Sequence, residues 1–322
     1  MKTIRELLHI SYPIIQGGMG NISNPILTAA ISEAGGLGTI GVGTRTPEEI
    51  DQMIQEVKER TSKPFALNIP ITVTNYAKEM VELAIAHHVP IVTLSAGNPG
   101  KLIPILHKEG ITVIVVVASV KHARKAEEAG ADLLVAEGFE AAGINSSLEL
   151  TTFTLIPQIV NAVQIPVIAA GGIGDGRGMA AAITLGASGI QMGTRFIATK
   201  EAPMHEAYKQ KLLDAADTDT LIFGRTVGRV RRILHTPYAD KLMQTEQQGL
   251  TLEEYAKLTD EDKHVLAAME GNLEEGFLNS GQVAGLITTI PSVEELLKSM
   301  MEEAALQLQK GTNLLKEHSS LS

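Results

Sequence analysis

The sequence has no cysteine and no tryptophan, and aromatic residues make up only 3% of its 322 positions. Without cysteine, disulfides, thiolate chemistry and cysteine-based metal sites are excluded. With so few rings, stacking on bases or sugars is not the main mode of recognition. No unbroken apolar stretch is long enough to cross a bilayer. The opening MKTIRELLHISYP carries charge too early, and too short an apolar run, for a secretory signal. Excess positive charge is also missing: 27 Lys and Arg against 37 Asp and Glu leave a net charge of −10. That argues against nucleic acid, where a basic face supplies most of the affinity. No HxxH, HExxH or acidic metal cluster occurs, so no catalytic metal is expected. These absences lead to the expectation of a cytoplasmic protein with no membrane or nucleic-acid partner.

What the chain does have is apolar residues, 44%, and 30 glycines. Both concentrate in the stretch 166–194, PVIAAGGIGDGRGMAAAITLGASGIQMGT. Residues 165–170 and 189–192 are short apolar runs, of the kind that strands buried on both faces require. Each ends in a small flexible turn, the first at Gly171, Gly172 and Gly174, the second at Gly193 and Thr194. Such turns let backbone N–H groups approach an anion without a Cβ between them.

Upstream the same unit recurs. Apolar runs at 13–16, 37–42, 65–71, 91–94, 111–117 and 133–136 read as strands, with helical segments between them. Asn24 with Pro25, and Thr46 with Pro47 and Glu49, mark helix starts. Helices are further expected over 76–88, 100–108, 119–129, 151–163 and 179–185. Eight strands at this spacing, each apolar and non-alternating, predict an α/β fold, a (β/α)8 barrel, with a doubly wound open sheet as the rival. In such a barrel the turns after strands 7 and 8 form the usual phosphate site, so a phosphorylated cofactor is expected there. Beyond 200 the composition turns to charge and helix formers, with Thr251 and Glu254 as another capping box. The expected organisation is a barrel over 1–199 and 286–312, with a helical insertion over 200–285 covering its mouth. The last helix is expected over 291–309, with fraying from about 311.

The motifs PIIQGGM, AGGLGTIG, KPFALNI, AGNPGK, AEGFEAAG, IPVIAAGGIGDGRG, QMGTRF and GQVAGLI, in this order over about 13–297, resemble the FMN-dependent nitronate monooxygenase family, formerly called 2-nitropropane dioxygenases. The chain is also similar to the related flavin-dependent enoyl-acyl-carrier-protein reductases. The resemblance implies a TIM barrel, one non-covalent FMN and an inserted substrate segment. By position, it implies Gly18 and Met19 against the flavin ring and Asn68 at its polar edge. Glu137 falls near the ribityl chain, and Gln191 at the ring or ribityl chain. Gly171, Gly172, Gly193 and Thr194 fall at the phosphate.

One departure stands out. Both relatives carry a histidine just after the strand-6 loop, and Ile144 occupies that position here, followed by Asn145. An amide is no base at neutral pH, so the catalytic residue is left unassigned. Nitronates are already carbanions and need no proton removed; neutral nitroalkanes do. His205 is weighed as a substitute imidazole against a capping role. His87 and His88 are expected to end a helix, and His122 to be exposed. Arg225, Arg229, Arg231 and Arg232 are read either as a grip on a cofactor phosphate or acyl-carrier surface, or as a salt-bridged helix face. Three functions remain open at this point: oxidation of alkyl nitronates by O2, reduction of enoyl thioesters on acyl-carrier protein by NAD(P)H, and flavin binding without catalysis. A homodimer is left open.

Overall fold

The structure, a computed structural model, describes residues 3–319. Its barrel strands are apolar without alternation because they are covered on both faces. They are β1 (Ile14–Gln16), β2 (Gly38–Gly41), β3 (Phe65–Pro70), β4 (Ile91–Ser95), β5 (Thr112–Val117) and β6 (Leu133–Glu137). After these come β7 (Gly143–Ile144), β8 (Val167–Ala170) and β9 (Gly189–Met192), then β10 (Thr220–Phe223) and β11 (Arg231–Leu234).

Eight of these strands form one sheet in the order β1-β9-β8-β6-β5-β4-β3-β2, and every neighbouring pair is parallel. The ends of that order meet. Leu37 N–H donates to Ile14 O at 3.0 Å and Gln16 N–H donates to Leu37 O at 2.8 Å, beside a parallel bridge between Ile15 and Leu37. The sheet is thus a closed (β/α)8 barrel, as expected. Two apolar clusters explain the lack of alternation. Ile15, Leu37, Ile114, Leu133, Val135 and Ile168 fill the interior with Ile4, Leu8 and Ile10. Ile14, Ile40, Leu67, Val92, Leu134 and Ile190 face the surrounding helices instead.

The helix starts follow local chemistry. Asn24 accepts from Leu27 N–H ahead of Pro25–Glu33, and Thr46 and Glu49 close a capping box ahead of Pro47–Arg60. Other boundaries differ from the sequence reading. The helix expected from 100 begins at Ile103, and the one expected from 179 begins at Gly176, because Asp175 caps Gly178 N–H. The last helix, Val293–Ser319, passes through the residues expected to fray. Helix propagation through leucine, lysine and glutamate carries it there, with 311–316 exposed.

Segment 200–285 holds the helices Glu206–Leu213, Pro237–Gly249, Leu252–Leu258 and Glu261–Glu270. It also holds strands that the sequence reading did not separate: β10 and β11 pair antiparallel, and β11 pairs with β7 from the loop after β6. Two arginines in β11 hid its strand pattern. No helix among the described residues is long and apolar enough to cross a membrane.

The glycine at the start of β2 shows how tightly helix and barrel meet. A Cβ on Gly38 would lie 1.9 Å from Thr28 O, in the backbone of the helix Pro25–Glu33. Gly38→Ala is therefore expected to lower unfolding free energy by about 3 kcal/mol, read by chemical denaturation; a loss near zero contradicts this packing.

Candidate functional site

All eight barrel strands run the same way, so the loops at their C-terminal ends share one rim. A cavity of about 740 Å3 opens there. Every position that the resemblance assigns to the flavin lines it: Gly18 and Met19 after β1, Asn68 in β3, Glu137 at the end of β6, Gly171 and Gly172 after β8, and Gln191, Gly193 and Thr194 at the end of β9. Ile144 and Asn145 line it too.

Local packing explains several identities. A Cβ on Gly18 would sit 2.3 Å from Asn68 Oδ1, so only glycine lets that amide reach the floor. Asn68 Nδ2 donates to Thr93 O at 3.3 Å and to Ser95 Oγ at 3.2 Å. Gly171 and Gly172 have φ of 101° and 71°, the left-handed region that side chains avoid. Across from them, Glu140 accepts from Thr152 N–H and Oγ1 at 2.9 Å, which engages its carboxylate. Gly193 differs: its φ is −116°, and a Cβ there would meet nothing within 4 Å. Thr194 Oγ1 accepts from Gly281 N–H at 3.0 Å, tying the β9 turn to the returning chain.

Glu137 carries a surface share that belongs to the cavity, while the group itself lies deep in the protein. It makes no side-chain hydrogen bond to a described residue, and burial pushes its carboxyl up to about 7.

The histidines and arginines sort as follows. His205 caps the helix Glu206–Leu213, its Nδ1 accepting from Ala207 N–H at 3.1 Å, and does not line the cavity. His87 caps the helix Ala77–Ala86 and bonds Asp51 at 2.6 Å. His88 follows it at φ 51°. His122 is exposed and sits at the cavity edge. The arginine cluster lies around the β10–β11 hairpin rather than on a helix face. Arg225 pairs with Glu149, and Arg229 is exposed. Arg232 donates to Phe139 O at 2.9 Å and lies over the Phe139 ring. Arg231 alone of these lines the cavity.

Arg231 belongs to a buried polar group that sequence reading missed. Its Nη2 lies 3.3 Å from Glu261 Oε1 and its Nη1 lies 3.3 Å from Asn279 Oδ1. Asn279 Nδ2 lies 3.2 Å from His264 Nδ1, and His264 and Arg231 both stack on Phe277. Burial alone would raise the Glu261 carboxyl; contact with His264 and the charge of Arg231 outweigh it and hold the group down at about 2. All four residues come from segment 200–285 and line the cavity. The only sequence signal was Asn279 beside the Ser280–Gly281 turn and the paired arginines of RVRRIL.

Glu137 sets a pH dependence. Below about 4.5 the carboxyl is protonated in both folded and unfolded chains. As pH rises to about 7 the unfolded chain releases a proton that the folded chain keeps, so stability falls, and the full penalty persists above that. Glu137→Gln in the ligand-free protein is expected to gain about 1–3 kcal/mol over wild type at pH 8 and nothing at pH 4. Urea titrations at the two pH values check this; equal gains at both contradict the buried carboxyl.

Comparison with known proteins agrees with this geometry. A family model described as nitronate monooxygenase matches residues 2–303. The chain is 34% identical over 352 residues to (3aS,4S,5R,7aS)-5-hydroxy-7a-methyl-1-oxo-octahydro-1H-indene-4-carboxyl-CoA dehydrogenase of Mycobacterium tuberculosis, covering 97% of this chain and 98% of that protein. It is 33% identical to a probable nitronate monooxygenase of Staphylococcus haemolyticus, over 93% of this chain and 96% of the other. Among solved structures, FabK from Thermotoga maritima superposes with a TM-score of 0.90 at 42% identity, covering 98% of this chain and 99% of that one. With the match running almost from end to end, and with the motif residues gathered on one rim, the chain belongs to the nitronate monooxygenase family.

Proposed function

We propose that this protein is an FMN-dependent oxidoreductase that oxidises alkyl nitronates with O2. The observation that carries the reading is the meeting of two glycine turns, after β8 and β9, with Asn68 and Gly18 around one deep cavity.

The residues present fit FMN. A cavity of about 740 Å3 is of the size that holds a cofactor with a small substrate. Gly171 and Gly172 offer N–H groups in a left-handed turn, and Gly193 leaves open space where a side chain would stand. These turns, with Thr194, would hold the phosphate. Gln191 and Glu137 would meet the ribityl chain. At neutral pH Glu137 keeps a large share of its proton, so it adds little repulsion to an anionic cofactor. Asn68, held by Thr93 and Ser95, would present its amide to the polar edge of the ring, with Gly18 and Met19 against its face. When bound, FMN supplies the electron-accepting chemistry that no side chain here can.

The chain's own residues bind and orient. Segment 200–285 contributes Arg231, Glu261, His264 and Asn279 to the cavity wall, and would narrow its mouth around a bound substrate. At the position where relatives carry an imidazole, Ile144 can neither accept nor donate a proton. A substrate that arrives already deprotonated, as a nitronate does, needs no base at that position.

A second reading, reduction of an unsaturated acyl thioester by NAD(P)H, draws on a feature of the mouth. Lys121, His122, Arg124 and Lys125 are exposed on the helix Val120–Glu128, and none makes an ion pair with a described residue. His122 and Lys125 reach the cavity edge. Lys121 stands in the first turn of that helix, where a cation opposes the dipole, and a phosphate-bearing tail, on coenzyme A or an acyl-carrier protein, would offset that cost.

Anaerobic mixing with propyl-1-nitronate separates the readings. Bleaching of the flavin by the nitronate is expected; bleaching by NADH alone, with reoxidation by an enoyl thioester, selects the second reading. Bleaching by neither leaves a flavin-binding protein without catalysis. The phosphate assignment has its own test. Gly193→Asp fits the backbone and the space but adds a negative charge, so the melting temperature is expected to stay within a few degrees while FMN affinity falls at least 100-fold. Wild-type FMN affinity in that variant contradicts the assignment.

A further inference from the structure

The pairing of β7 with β11 puts a specific residue beside the position where the imidazole is lost. Ile144 stands directly opposite Arg231 in an antiparallel ladder, and Gly143 stands opposite Arg232. Residues directly opposite in such a ladder project from the same face, with Cβ atoms roughly 4.5–5.5 Å apart. Successive residues along a strand project from opposite faces. Arg231 therefore shares the cavity face with Ile144, while Arg232 turns away to Phe139. The site thus sets a guanidinium beside an apolar side chain on the paired strand.

Arg231 is poorly satisfied for a buried cation. It is 4% exposed, its contacts to Glu261 and Asn279 are all 3.3–3.4 Å, and its Nε has no hydrogen-bond acceptor among the described residues. A charge-assisted bond to a carboxylate is ordinarily about 2.7–2.9 Å. Asn279 and His264 lie on the same wall and add polar groups that carry no negative charge. The neighbourhood is thus built for an anion of about the size of a carboxylate, and the carboxylate present, Glu261, only partly meets it.

We infer that Arg231 is the residue that recognises the charged head of the substrate, gripping the planar O–N–O fork of a nitronate. This rests on the nitronate reading of the site. A guanidinium matches a two-oxygen planar anion with paired donors and holds its charge over the whole working pH range. It cannot take a proton from carbon, so it selects the substrate's anionic form instead of generating it. Ile144, half exposed in the cavity lining and opposite Arg231, offers apolar surface to the alkyl side of the same molecule.

The test uses the FMN-loaded protein and nitrate, an unreactive planar anion with the same O–N–O geometry, titrated by calorimetry. Removing Arg231 alone would leave Glu261 buried and uncompensated. The comparison is therefore between Glu261→Gln and the double variant Arg231→Met with Glu261→Gln. The single variant is expected to bind nitrate at least as tightly as wild type, because a competitor for the guanidinium is gone. The double variant is expected to bind at least tenfold more weakly, with equal FMN content, and to raise KM for propyl-1-nitronate more than it lowers kcat. Arg231→Lys, which keeps the charge without the fork, is expected to bind nitrate several-fold more weakly than wild type. Nitrate affinity in the double variant within twofold of Glu261→Gln overturns the inference, as does wild-type affinity in Arg231→Lys or the absence of nitrate binding in wild type. Should wild type bind nitrate but leave propyl-1-nitronate unoxidised, the nitronate reading fails and the anion site stands. Should it oxidise the nitronate while the double variant keeps its nitrate affinity, only the inference fails.

Discussion

The parallel sheet closes on itself through hydrogen bonds between Leu37 and the backbone of Ile14 and Gln16. The barrel side of the site follows from that closure. Because all eight strands run one way, closure brings their C-terminal loops into a ring, and residues as distant in sequence as Gly18 and Gly193 face one cavity. An open sheet of the same strands would leave β1 and β2 at opposite edges. It would separate Asn68 from the glycine that makes room for it.

The cavity pairs two opposed electrostatic arrangements. On the barrel side, Glu137 sits without a partner, and burial keeps its carboxyl near neutrality. On the side of segment 200–285, Glu261 is held ionised against burial by Arg231 and His264. One carboxyl loses its charge to the medium, and the other keeps it through neighbours. The first suits a wall beside a phosphorylated cofactor. The second holds a cation at the cavity wall.

The barrel was legible because its signals are local. Strands buried on both faces read as short apolar runs, and glycine turns with capping residues mark the ends of each unit. Gly171, Gly172, Gly193 and Thr194 could be placed because each directly follows an apolar run. Segment 200–285 was less legible. Arg231 and Arg232 break the apolar pattern of β11, whose partner β7 is two residues long and lies nearly ninety residues earlier in the chain. Nothing local to Ile144 announces Arg231, and nothing local to Glu261 or His264 announces Asn279. Such contacts depend on the closed fold, and sequence spacing carries no trace of them. His205 shows the converse: it stood near the rim in sequence, yet its ring is spent on capping a helix.

The central claim is that the turns after β8 and β9 hold the phosphate of a flavin nucleotide. The most direct measurement is a crystal structure of the protein loaded with FMN. The expected result is the phosphate within hydrogen-bond reach of the backbone at Gly171, Gly172 and Gly193, with the ring over Gly18 and Met19. FMN bound with its phosphate at another wall, or a cavity that takes no flavin at saturating concentration, would contradict it.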